Sequence, residues 1–121
     1  MHDIKEFVER YVNVWNEPDA GARRRTIGDL WQEDACHLAR TIEAIGHVEI
    51  ETRVTNSYEK WVKEKGNMFR LRDGVDGRHG AIKLRWEMLP ASGGDAISIG
   101  FDFLVLGGDG RIRIGYQFIE A

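Results

Sequence analysis

At Gly66 the apolar residues of this chain change spacing, from the 3.6-residue period of a helix to the two-residue period of a strand. Before that point Ile4, Phe7, Val8, Tyr11, Val12 and Trp15 line one face of a helix, which Asp3 and Glu6 can cap as a box and Pro18 ends. Asp19 can cap a second helix with Ala20, Arg24, Ile27, Leu30 and Trp31 on its inner face, packed beside the first across a short Glu-Pro-Asp turn. A third helix begins near Gly46, carries Ile50, Val54, Tyr58, Trp61 and Val62 on one stripe, and stops at Gly66. Between the second and third helices, Ala35 to Thr41 reads as a small strand followed by a loop. Beyond Gly66, strands over 68–72, 81–89, 96–106 and 111–119 are separated by Gly- and Asp-rich turns. Helices first and antiparallel strands afterwards predict an α+β domain, its helices on one face of a curved meander.

The length, 121 residues, fits a single domain over 1–121. Cys36 stands alone and cannot form an internal disulfide, and no apolar run approaches the ~18 residues of a membrane span. The start, MHDIKEFVER, is amphipathic and charged rather than basic then apolar, so a cytoplasmic protein without a secretory signal is expected. Seventeen basic against twenty acidic residues leave a net charge of −3, and the only basic cluster, Arg23 to Arg25, reads as a solvated helix face. Such a balance offers no field for a phosphate backbone, so no nucleic-acid partner is expected. His2, His37, His47 and His79 follow no metal-ligand spacing; neither a metal nor another cofactor is expected.

The last two strands carry more information than the helices. One face presents Ile97, Ile99, Phe101, Phe103 and Val105, matched by Ile112, Ile114, Tyr116 and Phe118. A four-residue loop joining Leu106 to Arg111 pairs Asp102 with Gly115 and Leu104 with Arg113, and the opposite face holds Ser98, Gly100, Asp102, Leu104, Arg111, Arg113, Gly115, Gln117 and Ile119. Large apolar side chains on both faces predict a pocket on one and a subunit partner on the other, hence a homodimer through Phe101, Phe103, Ile114, Tyr116 and Phe118.

This order of elements, with RYVNVWNEPDA in the first helix, LWQEDA after the second and GFDFLVLGGDGRIRIGYQF at the end, resembles the nuclear-transport-factor-2-like superfamily and its SnoaL-like proteins. The resemblance spans essentially the whole chain and implies a cone of three helices on a strongly curved, mostly antiparallel sheet. It also implies a small-molecule pocket, because the group includes polyketide cyclases, ketosteroid isomerases and limonene-epoxide hydrolases. In ketosteroid isomerases an Arg-Tyr-Val stretch, here Arg10, Tyr11 and Val12, carries a tyrosine. That tyrosine and a protonated aspartate, corresponding to Tyr11 and Asp102, donate to one substrate oxygen, the arrangement described for that enzyme. The family's general-base aspartate falls on Ala39, which leaves His37, two residues earlier on the same side of a strand, as the nearby replacement base. Arg85-Trp86-Glu87 looks like the Arg-x-Asp element of limonene-epoxide hydrolases, and a hairpin centred on Gly93-Gly94 sets Arg85 opposite Asp102; the remaining acidic position aligns with Gln117.

The catalytic candidates are therefore Asp102, Tyr11 and His37, with Arg85, Glu87, Gln117 and Trp15 as ligand-contacting residues. Each has a plainer reading: a sheet-face ion pair of Asp102 with Arg85 or Arg113, a core tyrosine, a structural histidine, a cross-strand Arg85–Glu87 pair. A one-residue slip would turn Trp86 inward and Arg85 and Glu87 outward. Function is expected to be the binding of a small apolar organic molecule, with isomerisation, cyclisation, dehydration or hydrolysis by acid/base chemistry if the pocket is catalytic. A non-catalytic ligand-binding or dimerisation module is the alternative.

Overall fold

In the computed structural model, which describes residues 3–120, Asp3 caps α1 (Ile4–Asn13), its carboxylate accepting from the Lys5 and Glu6 N–H groups. Met1, His2 and Ala121, which the single-domain reading includes, lie outside the described residues. A 3₁₀ turn (Val14–Asn16) prolongs α1, and Asp19 caps α2 (Ala20–Leu30) through the Ala22 N–H. The inner face of α2 differs from expectation: Arg23, not Arg24, points inward. Arg23 is 3% exposed and pinned by three hydrogen bonds, two to the Glu17 carbonyl and one to Thr55 Oγ1, with its guanidinium 4.8 Å from the Tyr58 ring centre. Only Arg24 and Arg25 of the three arginines are solvated, because helical spacing puts position 23, four residues before Ile27, on the buried stripe.

Trp31 opens β1 (Trp31–Leu38) rather than closing α2, and β1 turns back into a short β2 (Glu43–Ile45). Helix α3 (Gly46–Ser57) then widens into a π-helix (Tyr58–Glu64) that ends at Gly66, whose φ of 72° only glycine adopts freely. The remaining strands are β3 (Asn67–Leu71), β4 (Asp76–Arg78), β5 (Ala81–Pro90), β6 (Ser98–Leu106) and β7 (Ile112–Ile119). They form one sheet in the order β2-β1-β7-β6-β5-β3, with β4 against β5 and every pairing antiparallel except β1 with β7. The fold is thus the expected α+β cone: three helices fill the concave side of the sheet around Val8, Ile27, Leu30, Trp31, Ile50, Val54, Leu84, Leu104 and Ile112.

Two registers depart from the sequence reading and decide which side chains meet. Leu84, not Arg85, pairs with Asp102, and Trp86 pairs with Gly100, so the β5–β6 register is one residue offset from the expected one. On β7, Asp102 pairs with Gln117 and Leu104 with Gly115, two residues beyond the expected partners. One of those residues comes from a bulge at Arg113, between the Leu106–Ile112 and Val105–Ile114 pairs. The bulge turns Ile112 from the outer face into the core, where it is fully buried.

Candidate functional site

Asp102 lies in the middle of β6, where alternation sends its carboxylate to the concave side with Leu104. It is 1% exposed, and both of its oxygens are held: Tyr11 Oη donates to Oδ2 at 2.7 Å and Trp86 Nε1 to Oδ1 at 2.9 Å. Tyr11 arrives from the buried stripe of α1 and Trp86 from the inward row of β5. Gly100 makes the second contact possible. A Cβ there would collide with the indole of Trp86, so the missing side chain lets the ring lie across β6 and reach the carboxylate two residues on.

These groups stand in the wall of a cavity of about 400 Å³. Most of that wall is apolar, with Val12, Trp15, Trp61, Phe69, Met88 and Ile97 among its members. Its polar side gathers Tyr11, Asp102, Arg53 and Gln117. Arg53, from α3, donates through Nη2 to Gln117 Oε1 at 2.9 Å, and its guanidinium carbon lies 5.4 Å from the centre of the Trp15 ring. Its Nε is buried without a hydrogen-bond partner.

Electrostatics follow from this burial. Loss of solvent raises the Asp102 pKa from 3.8 to about 6, against the opposing pull of the Tyr11 and Trp86 hydrogen bonds and of the Arg53 charge. Burial first, and the neighbouring Asp102 second, push the Tyr11 phenol above its ordinary value. Burial likewise lowers the proton affinity of Arg53, offset by the charges of Tyr11 and Asp102. The carboxyl at the centre thus changes charge near neutrality. With each oxygen offering two lone pairs and receiving one protein donor, it keeps acceptor capacity for a ligand.

Of the seven residues singled out in the sequence, Asp102, Tyr11, Gln117 and Trp15 belong to the cavity wall. Tyr11, however, spends its hydroxyl proton on Asp102 instead of standing beside it as a parallel donor. His37 is not part of that wall. It is 1% exposed, lies tilted with its ring centre 5.4 Å from that of Trp15 and edge-on at 6.5 Å from that of Trp31, and neither ring nitrogen has a hydrogen-bond partner. Burial, with a smaller contribution from the Arg53 charge, lowers its pKa to about 4, and the nearby Gln117 amide opposes this weakly.

Arg85 and Glu87 point away from the cavity, because the observed register puts Trp86 inward and its two neighbours outward. Glu87 joins Arg70 and Arg72, and Arg85 joins Glu120, so the two do not pair with each other. Wall residues outside those seven include Arg53, and Trp86 as a donor to Asp102. The lone glycine at position 100, inside the mostly apolar β6, is the signal that could have pointed to Trp86. Among the described residues no group of three or more His, Cys, Asp or Glu side chains converges as a metal site would require. Nor is any helix among them long and apolar enough to cross a membrane.

Comparison of the whole structure with solved ones agrees with this architecture. A candidate isomerase of the SnoaL-like family from Agrobacterium tumefaciens superposes with a TM-score of 0.89 over 100% of both chains, at 24% identity. The chain has the NTF2-like fold. A candidate polyketide cyclase from Sinorhizobium meliloti matches this chain with a TM-score of 0.70 over 93% of each chain, at 13% identity. An NTF2-like protein of unknown function from Exiguobacterium gives 0.71 over 94% of this chain and 98% of its own, at 16% identity. No protein-family model matches the sequence, and no curated protein sequence does.

Proposed function

We propose that the cavity binds a small, largely apolar carbonyl compound and that Asp102 moves a proton on it, as in an isomerisation or cyclisation. The observation that carries this reading is a carboxyl of pKa about 6, set in an apolar wall and aimed by Tyr11 and Trp86. A general acid/base works best when its pKa lies near the working pH. The ionised carboxylate takes a proton from the carbon beside the carbonyl, and the C–H electron pair moves into the enolate. Protonated Asp102 then returns the proton to a different carbon, completing an isomerisation with no net change in composition. Alternatively the enolate carbon attacks a second carbonyl and Asp102 protonates the new alkoxide, which closes a ring. Tyr11 and Trp86 are positioning residues here: they hold the carboxylate through both protonation states. The descriptions of the Agrobacterium and Sinorhizobium proteins as candidate isomerase and cyclase favour the same reaction types.

The test is exchange of the α-protons of 2-tetralone in D₂O, followed by NMR between pH 5 and 7.5. Catalysed exchange that rises with pH through about 6 and disappears in Asp102→Asn is the expected result. Exchange unaffected by Asp102→Asn would overturn the role of Asp102, and no exchange above buffer by the native protein would leave the cavity as a binding site alone.

A further inference from the structure

We propose that the cavity is built for a compact aromatic or alicyclic monoanion, a carboxylate or an enolate, whose oxygens bind Arg53. This rests on the reading of the cavity as a ligand site but not on its turning anything over. Arg53 is the only cation among the wall residues, and it makes no ion pair among the described residues. Its hydrogen bond in the site goes to a neutral amide oxygen, Gln117 Oε1. A guanidinium carries five N–H donors in a planar fork that matches two oxygens of one anionic group. A guanidinium with no carboxylate in ion-pair contact leaves its fork open in this apolar cavity, so an anion that reaches it gains more than a neutral oxygen would.

The aromatic wall defines the rest of the ligand. Trp15, Trp61 and Trp86 surround the space beside Arg53, and Trp15 already stacks under the guanidinium. A flat hydrocarbon body fits between them, while its anionic end reaches the fork.

Asp102 faces the same space, and two negative charges there would repel. The groups around it are Tyr11 from α1, Arg53 from α3, Trp86 from β5 and Gln117 from β7, with His37 of β1 behind Trp15. Of these, only Asp102 changes charge near pH 6. Entry of the anion therefore draws a proton onto Asp102, and the bound complex holds one negative charge on the ligand and a neutral carboxyl beside it. In that complex Asp102 starts as the acid, so the proton transfer is entered from the enolate side.

The experiment is calorimetric titration with 2-naphthoate and its neutral isostere 2-naphthamide, repeated in buffers of different ionisation enthalpy. For the native protein at pH 7, naphthoate should bind at least about tenfold more tightly than the amide, with uptake of about one proton. Its Kd should rise about tenfold for each pH unit above 6.5. In Arg53→Gln the preference for naphthoate should vanish while amide binding persists. In Asp102→Asn the preference should remain, with no proton uptake and a flat pH dependence.

Equal affinity for the two compounds, or naphthoate binding without proton uptake by the native protein, would overturn the inference with no variant needed. So would an unchanged preference in Arg53→Gln. Failure of both compounds to bind would overturn it together with the ligand-site reading. Naphthoate binding with proton uptake, alongside proton exchange insensitive to Asp102→Asn, would sustain the inference and sink the catalytic role.

Discussion

Replacing Asp102 by Asn should change the pH dependence of stability more than stability itself. In the native protein the carboxyl has a pKa of about 6 against an ordinary 3.8, so folding favours its protonated form. At ~1.4 kcal/mol for each tenfold change in proton affinity, this rise corresponds to about 3 kcal/mol. The sign follows from proton counting: between pH 4 and 6 the folded state binds more protons than the unfolded one. Asp102 therefore subtracts nothing below pH 4 and a full ~3 kcal/mol above pH 6, lost progressively in between. Asparagine has the same shape and no charge. Its oxygen can accept from one of Tyr11 and Trp86, while its NH₂ opposes the other donor at a cost of ~1–3 kcal/mol. Asp102→Asn should thus be destabilising at pH 4 and near neutral or stabilising at pH 8, the difference between the two proteins shifting by about 3 kcal/mol across that range. Urea unfolding of both proteins at pH 4, 5, 6, 7 and 8 measures it, and the pairwise difference removes every other titrating group. Parallel stability profiles would refute the argument that burial sets the charge of this carboxyl.

His37 supplies the opposite dependence. Its pKa falls from 6.5 to about 4 on folding, so the buried neutral ring contributes stability that is complete above pH 6.5 and lost as pH falls to 4, about 3 kcal/mol in all. His37→Phe, of similar shape, should fold with a shallower acid limb in the same urea series; an unchanged limb would mean that the ring is already protonated or solvated. Gly100→Ala should push the Trp86 indole off Asp102, cost at least ~1–3 kcal/mol, and raise the Asp102 pKa further because a donor that lowers it is lost. A titration of the carboxyl by NMR that stays near 6 in this variant would contradict the role given to Trp86. The outer sheet face leaves Phe103, Tyr116 and Phe118 at 36%, 37% and 54% exposure beside Phe101 and Ile114, an apolar patch that we propose a second copy of the chain covers. Sedimentation should show a dimer at micromolar concentration that Phe103→Glu combined with Phe118→Glu converts to monomer, and a monomeric native protein would count against it.

What the sequence reveals and what it hides divide along a physical line. Periodicity is a property of one element, so the three helices, the late strands, the inward row of β6 and the Gly115, Gln117 and Ile119 part of the β7 row were legible from side-chain spacing alone. So was Asp102, because a carboxylate between Phe101 and Phe103 is costly wherever that strand packs. Register belongs to two elements at once. The one-residue offset of the β5–β6 register exchanged Trp86 for Arg85 and Glu87, and the bulge at Arg113 carried Ile112 into the core. Neither is written in hydrophobic spacing, since each depends on how a turn closes. Arg53 was harder still: on α3 it is one polar residue between Ile50 and Val54, indistinguishable from a solvated one. Its meaning arises only when β6 and β7 curl far enough to bring Asp102 and Gln117 to the helix. That curl is also why the site is electrostatically coupled. A flat sheet would leave Arg53 and Asp102 to separate solvent shells, whereas the closed cone removes the water from both and makes the charge of each depend on the other.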